Sequence, residues 1–290
     1  MPPSLSVLLQ YALPKRAITT IAGRVASANA GAATTTLIRW FVGRYNVSMK
    51  EAAEPDVARY ATFNDFFTRA LKPGARPIAA ADFVCPVDGA ISECGAIDRD
   101  RIIQAKGHDY TTTALLGGDE SLAAQFSDGD FATLYLSPKD YHRIHMPITG
   151  RLTRMIHVPG DLFSVNPATA RALPGLFARN ERVVCVFEGA HGPFVMVLVG
   201  ATIVGSMATV WHGVVNSPRA GAVREWQYAD QTVELKQGDE MGRFLLGSTV
   251  VMLFPSQYVL FTPRWKTGVF VRMGENMGIS YPRTAETRIE

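Results

Sequence analysis

The chain has 290 residues, 47% of them hydrophobic and 19% charged, enough to bury one large core or two smaller ones. Its net charge of +3 hides an asymmetry: residues 1–50 carry six basic side chains (Lys15, Arg16, Arg24, Arg39, Arg44, Lys50) and no acid, while the remainder has 23 basic residues against 26 acidic. Such a distribution points to an anionic partner of the N-terminal part. Three cysteines (Cys85, Cys94, Cys185), odd in number and without ligand spacing, argue against a zinc site or a disulfide framework and for a reducing compartment. The longest apolar stretch, Phe194 to Val204, is about half of what spans a bilayer, and no signal peptide is expected.

Taken in chain order, an apolar lead-in (Leu5 to Leu13) ends at Pro14. Ile18, Ile21, Ala22 and Val25 then follow helical spacing, with Arg16, Thr20, Arg24 and Ser27 on another face. A second stripe is Leu37, Ile38, Phe41 and Tyr45, flanked by Trp40, Arg39 and Arg44. Apolar faces with aromatics and exclusively basic charge suit a helix lying in a membrane interface. A packed helix with a solvated basic face, or a mitochondrial presequence, fits the same pattern. A short helix follows, with Asn64 as its expected N-cap and Phe63, Phe66 and Phe67 as packing groups.

From Pro86 onward the chain reads as short strands: Ala90–Ile97, Phe131–Leu136, Arg151–Val158, Arg182–Glu188, Phe194–Val204, Ala222–Tyr228, Thr232–Leu235, Thr249–Phe254 and Gly268–Met273. Asp88-Gly89, Asp128-Gly129, Pro159-Gly160 and Gly238-Asp239 mark turns between them. The expected fold class is α+β: a β-rich core of mostly antiparallel strands (63–290) preceded by a helical, amphipathic, membrane-associating part (1–62). Neither βαβ alternation nor a glycine-rich phosphate loop is present, so a nucleotide or nucleic-acid partner is not expected.

Three clusters carry chemistry. In Leu246-Gly247-Ser248-Thr249 a Gly-Ser bond stands before an apolar run. Glycine lacks a Cβ, so a nucleophile can come close to the Gly247 carbonyl, although a Gly-Ser pair before a strand is usually only a turn. In Tyr141-His142-Arg143-Ile144-His145-Met146-Pro147 two histidines stand three apart, and the flanking prolines suggest a turn or short helical segment. Asp88 of Pro86-Val87-Asp88-Gly89 is either a hairpin residue or a carboxylate with an imidazole to orient. Asp88, His145 and Ser248 together spell an Asp–His–Ser relay. A serine hydrolase is the first guess, but no Gly-x-Ser-x-Gly elbow surrounds Ser248.

At these residues the chain resembles the phosphatidylserine decarboxylases of the shorter bacterial type. Further matching strings are Phe66-Phe67-Thr68-Arg69, Leu71 to Ile78, Lys106-Gly107, Leu115-Leu116-Gly117, Tyr135 to Pro147, His157-Val158-Pro159-Gly160, Val165-Asn166-Pro167 and Asn180-Glu181-Arg182. The resemblance implies a self-processing enzyme in which His145, oriented by Asp88, deprotonates Ser248. Ser248 attacks the Gly247 carbonyl, and the resulting ester undergoes β-elimination. The dehydroalanine left behind is hydrolysed by water to a pyruvoyl group plus ammonia, on a smaller chain, 248–290, which stays with 1–247. That group, needing no metal, forms a Schiff base with phosphatidylserine and releases CO₂ to give phosphatidylethanolamine, with His142 as proton donor. The resemblance also implies a homodimer, peripheral on the cytoplasmic face of the cell membrane. Lys106, Arg143 and His157 are its candidate lipid contacts. The alternatives are a pyruvoyl-dependent decarboxylase of a soluble amino acid, an Asp–His–Ser hydrolase, and a non-enzymatic membrane-binding β-domain.

Overall fold

The structure is a computed structural model that describes residues 5–105, 107–202, 206–216, 221–228, 233–245 and 249–282. Its organising element is the strand β15 (Thr249–Phe254), buried at all six positions. A strand paired on both edges and covered on both faces has no need of polar alternation. Val250, Met252 and Phe254 enter one apolar cluster and Val251 and Leu253 another on the opposite face, as a period of two requires.

The main sheet is antiparallel throughout. Its order is β12 (Arg224–Gln227), β7 (Gly150–Val158), β8 (Arg182–Gly189), β9 (Gly192–Val199), β15, β5 (Asp130–Tyr135), β2 (Gly89–Ala96) and β17 (Phe270–Val271), with β13 (Glu234–Leu235) also pairing β7. A second sheet of β11 (Gly213–Val214), β10 (Met207–Thr209), β14 (Glu240–Phe244) and β6 (Arg143–His145) packs Met207, Met241, Phe244 and Ile144 into the cluster that holds Val250. A third, β1 (Phe83–Val84), β18 (Asn276–Ser280) and β16 (Val259–Phe261), adds Phe83, Met277 and Val259 to it. The other face is covered by the pair β3 (Arg101–Ala105) and β4 (His108–Thr111) and by short helical turns, which supply Ile102, Tyr110, Leu115 and Phe177. This is the expected α+β class, with a β-rich core of mostly antiparallel strands.

Ahead of it run helices α1 (Leu5–Ala12), α2 (Lys15–Ser27), α3 (Ala32–Tyr45) and α4 (Phe63–Phe67). The cap of α4 is not Asn64 but Thr62, whose hydroxyl accepts from the Asp65 N–H while the Asp65 carboxylate accepts from the Thr62 N–H. Such a reciprocal box satisfies two orphan donors, and Asn64 inside the helix cannot do that. Phe63, Phe66 and Phe67 pack with Ala26, Ile38 and Val47 into a third apolar cluster. The apolar stripe of α2 does not face that cluster: α2 buries Thr19 and Ala26, leaving Ile21 62% and Val25 55% exposed. Trp40 of α3 is 59% exposed. Among the described residues no helix is long and apolar enough to cross a membrane.

Candidate active site

Register, not sequence proximity, assembles the site. One row of directly opposed residues crosses five strands: Ala90, Tyr135, Thr249, Val199 and Arg182. The row lies where β2, β15 and β8 begin and where β5 and β9 end. Asp88 and the turn from Ser137 to Asp140 therefore leave the sheet at the same end, the end at which Thr249 begins β15. Gly89 permits the close fit there, because a Cβ on it would lie 2.5 Å from the Tyr135 carbonyl oxygen. Gly247, Ser248 and Lys106 lie outside the described residues. Thr249 is the fixed point beside the first two.

The histidine cluster is neither a turn throughout nor helical. Ser137 to Asp140 form a turn closed on the Asp140 carboxylate, which accepts from the Ser137 N–H and hydroxyl, both at 2.7 Å. Strand β6 follows. His142 precedes it and is wholly buried, its ring 4.0 Å from that of Phe67. Its carbonyl accepts from the Phe244 N–H at 3.1 Å, tying it to the strand that leads into residues 246–248. Its Nδ1 is 2.8 Å from the Asp140 carbonyl. A carbonyl only accepts, so Nδ1 carries the proton and Nε2 the lone pair. That Nε2 is buried and has no partner among the described residues. Burial pulls the His142 pKa down to about 3, the Arg69 charge adding to the effect and the Asp140 carbonyl opposing it.

His145 is fixed in the same tautomer: Nδ1–H donates to the Gly238 carbonyl at 2.8 Å, and Nε2 accepts from the Tyr141 hydroxyl at 3.0 Å. Its pKa lies below the ordinary histidine value, chiefly through burial. Burial raises that of Tyr141 to about 12. Both imidazoles are thus neutral at pH 7 with a basic Nε2.

Asp88 does not make the contact with His145 that the relay expects. Its carboxylate, 4% exposed, takes Arg76 Nε at 2.9 and 3.1 Å, Arg76 Nη2 at 2.5 Å and the Met273 N–H at 2.9 Å. A bidentate guanidinium and a backbone donor leave it little to offer an imidazole, and Gly238 occupies the Nδ1 position. The negative charge of Asp88 still favours protonation of His145 from a distance. Arg76 also reaches Glu51 at 2.9 Å, and its pKa is raised by these partners. Arg76 and Tyr141 are the groups that sequence reasoning missed as parts of the site. Arg76→Leu leaves the Asp88 charge buried beside one N–H, so about 3–5 kcal/mol of stability is expected to be lost. Urea denaturation reads this, and Arg76→Leu combined with Asp88→Leu should recover much of it.

The expected lipid contacts stand elsewhere. Arg143 donates Nε to the Thr68 carbonyl and Nη1 to Glu240, both at 2.8 Å. His157 is wholly buried, with Nε2 3.0 Å from Glu181, and so has no surface to offer a lipid here. Among the described residues no group of acids, histidines and cysteines could hold a metal ion.

Comparison with known proteins fits this arrangement. A family model described as phosphatidylserine decarboxylase matches residues 63–279, and a second, described as PSD, matches residues 5–46. The phosphatidylserine decarboxylase proenzyme of Azoarcus sp. (strain BH72) is 70% identical over 274 residues, 94% of this chain and 95% of the relative. That of Methylibium petroleiphilum is 70% identical over 276 residues, covering 95% and 98%. That of Variovorax paradoxus is 71% identical over 272 residues, covering 94% and 96%. With the family model matching residues 63–279 and relatives about 70% identical over most of its length, the chain belongs to the phosphatidylserine decarboxylase family.

Proposed function

We propose that the chain is a self-processing carboxy-lyase that converts phosphatidylserine to phosphatidylethanolamine at a membrane surface. The observation that carries the reading is identity near 70% across almost the full length of relatives named as proenzymes of that activity. In the first reaction His145 Nε2, the lone pair that now accepts from Tyr141, takes the proton of Ser248 as its oxygen attacks the Gly247 carbonyl. The Asp88 charge favours the imidazolium that forms, and the Gly238 carbonyl keeps the ring in place.

Two buried polar atoms without a partner among the described residues, His142 Nε2 and Thr249 Oγ1, fit a small carbonyl-bearing group made from the residue before Thr249. Such a pyruvoyl group supplies an electron sink when a carboxylate leaves as CO₂. His142 is neutral in the ligand-free site and takes up its proton as an anionic substrate enters, then holds it at Nε2 for delivery to carbon. The segment after position 248 stays in place because β15 is paired on both edges, with β17 against β2 and β18 against β1. Release of CO₂ from phosphatidylserine vesicles but not from free serine tests the reading; the reverse preference overturns it.

Membrane docking is supported by the N-terminal helices, which expose the apolar Tyr11, Leu13, Ile21, Val25 and Trp40 as well as the basic Arg16, Arg24, Arg39 and Arg44. Each basic residue contributes about 1 kcal/mol at an anionic leaflet, and each apolar side chain about 1.5–3 kcal/mol once buried. Ile21→Glu/Val25→Glu/Trp40→Glu in the full chain is expected to lower vesicle flotation by about tenfold or more. Undiminished flotation assigns docking to another surface.

A further inference from the structure

A cavity of about 270 Å³ opens beside Asp88 and Tyr141, and Arg69, Arg76, Lys139 and Arg272 line it together with Glu51 and Asp140. Each acid on its wall is already engaged. Asp88 takes Arg76 and Met273, Glu51 takes Arg76 and Arg272, and Asp140 takes both donors of Ser137. Arg69 differs. It is 5% exposed, its Nη2 makes one long bond of 3.4 Å to the Lys139 carbonyl, its guanidinium lies 5.4 Å over the Phe66 ring, and its Nε has no partner among the described residues. Among the described residues no carboxylate pairs with it or with Lys139. Burial pulls its pKa below the ordinary arginine value. The Asp88 and Asp140 charges act on it only from a distance. A guanidinium removed from water without a directly paired counter-charge is costly, and an anion entering the cavity lowers that cost.

We propose that Arg69, aided by Lys139, is the receptor for the phosphodiester of the phospholipid head group, an inference that rests on the substrate reading above. The position suits it. Arg69 lies just beyond Phe66 and Phe67, Phe67 carries His142 on its ring, and the Arg69 charge is felt at that imidazole. Asn46 and Ser48 on the cavity wall directly follow α3, so the membrane-facing helices lead into it.

Of the two anionic groups on the substrate, the carboxylate loses its charge as CO₂ forms. A strong pair with it holds the ground state more tightly than the transition state. The phosphodiester keeps its charge throughout, and the planar fork of an arginine matches its oxygens.

The test uses the full-length, matured protein and sn-glycero-3-phosphoethanolamine, which has the diester but neither acyl chains nor a carboxylate. Wild type is expected to be inhibited competitively by it and not by ethanolamine at the same concentration. Arg69→Gln should raise KM for phosphatidylserine in mixed micelles about tenfold or more, hold kcat within about twofold and lose the inhibition. Unchanged KM and persistent inhibition overturn the proposal, as does a fall in kcat at unchanged KM.

Splitting into two chains and the thermal midpoint report folding. If Arg69→Gln fails either, inhibition of wild type and its weakening in Lys139→Gln decide the matter. If wild type releases no CO₂ from phosphatidylserine, the substrate reading has failed. The receptor is then read separately, as a rise in the wild-type thermal midpoint with glycerophosphoethanolamine that Lys139→Gln loses.

Discussion

Ser248→Ala is expected to remain a single 31.6 kDa chain under denaturing conditions, where wild type yields a large fragment ending at Gly247 and a small one with a blocked N-terminus. The effect is all-or-none, because alanine has no oxygen to form the ester and no other hydroxyl occupies that position. The fold should be unaffected, since the buried strand that starts at Thr249 makes its pairings without the serine. Intact mass separates the outcomes: two species from the variant would remove Ser248 from the chemistry. Ser248→Cys, which keeps a nucleophile, should split slowly.

His142→Gln should mature normally yet turn over about 10²–10⁴ times more slowly, the usual contribution of a positioned proton donor. A normal kcat removes it from the reaction. The same variant has a signature in stability. His142 in the folded chain titrates near pH 3, whereas an unfolded histidine titrates near 6.5. Above 6.5 both forms are neutral and the imidazole makes no difference. As pH falls below 6.5 the unfolded chain binds a proton that the folded chain refuses. Stability is then lost by about 1.4 kcal/mol per pH unit. Urea midpoints at pH 7.5 and 5.5 should diverge in wild type and less so in His142→Gln.

The legible parts of the molecule were those whose cause is local. Thr249–Phe254 reads as a doubly covered strand from its unbroken apolar run, and the turn glycines around it mark where the neighbouring strands end. Short elements escaped notice. The strands Arg143–His145, Met207–Thr209 and Glu240–Phe244 are too brief and too mixed in polarity to show a period, and only their packing onto the main sheet makes them strands. For α2 the helical spacing of Ile21 and Val25 was visible, but periodicity says nothing of which side meets protein, and the apolar side turned outward.

At the site, residue types in Asp88, His142 and His145 could be picked out, whereas their partners could not. The groups that fix both rings are the carbonyls of Asp140 and Gly238. Every residue carries a carbonyl, so no letter in the sequence marks these two. The Arg76–Asp88 pair spans a loop with no periodic signal, and only the folded structure brings the guanidinium onto the carboxylate.

The cut proposed before Ser248 would change how the protein can be remade. While the chain is continuous, β15 is tethered to its neighbours and closing the sheet is an intramolecular event, independent of concentration. Once the bond before Ser248 is broken, that central strand belongs to a separate polypeptide, and recovery from denaturant requires two molecules to meet. The mature enzyme should therefore regain structure with second-order kinetics and compete against aggregation of the larger piece, whose sheet would lie open between Val195–Val199 and Phe131–Tyr135. Maturation by that proposed cut would make the native state a one-way product, reached easily only from the uncut precursor.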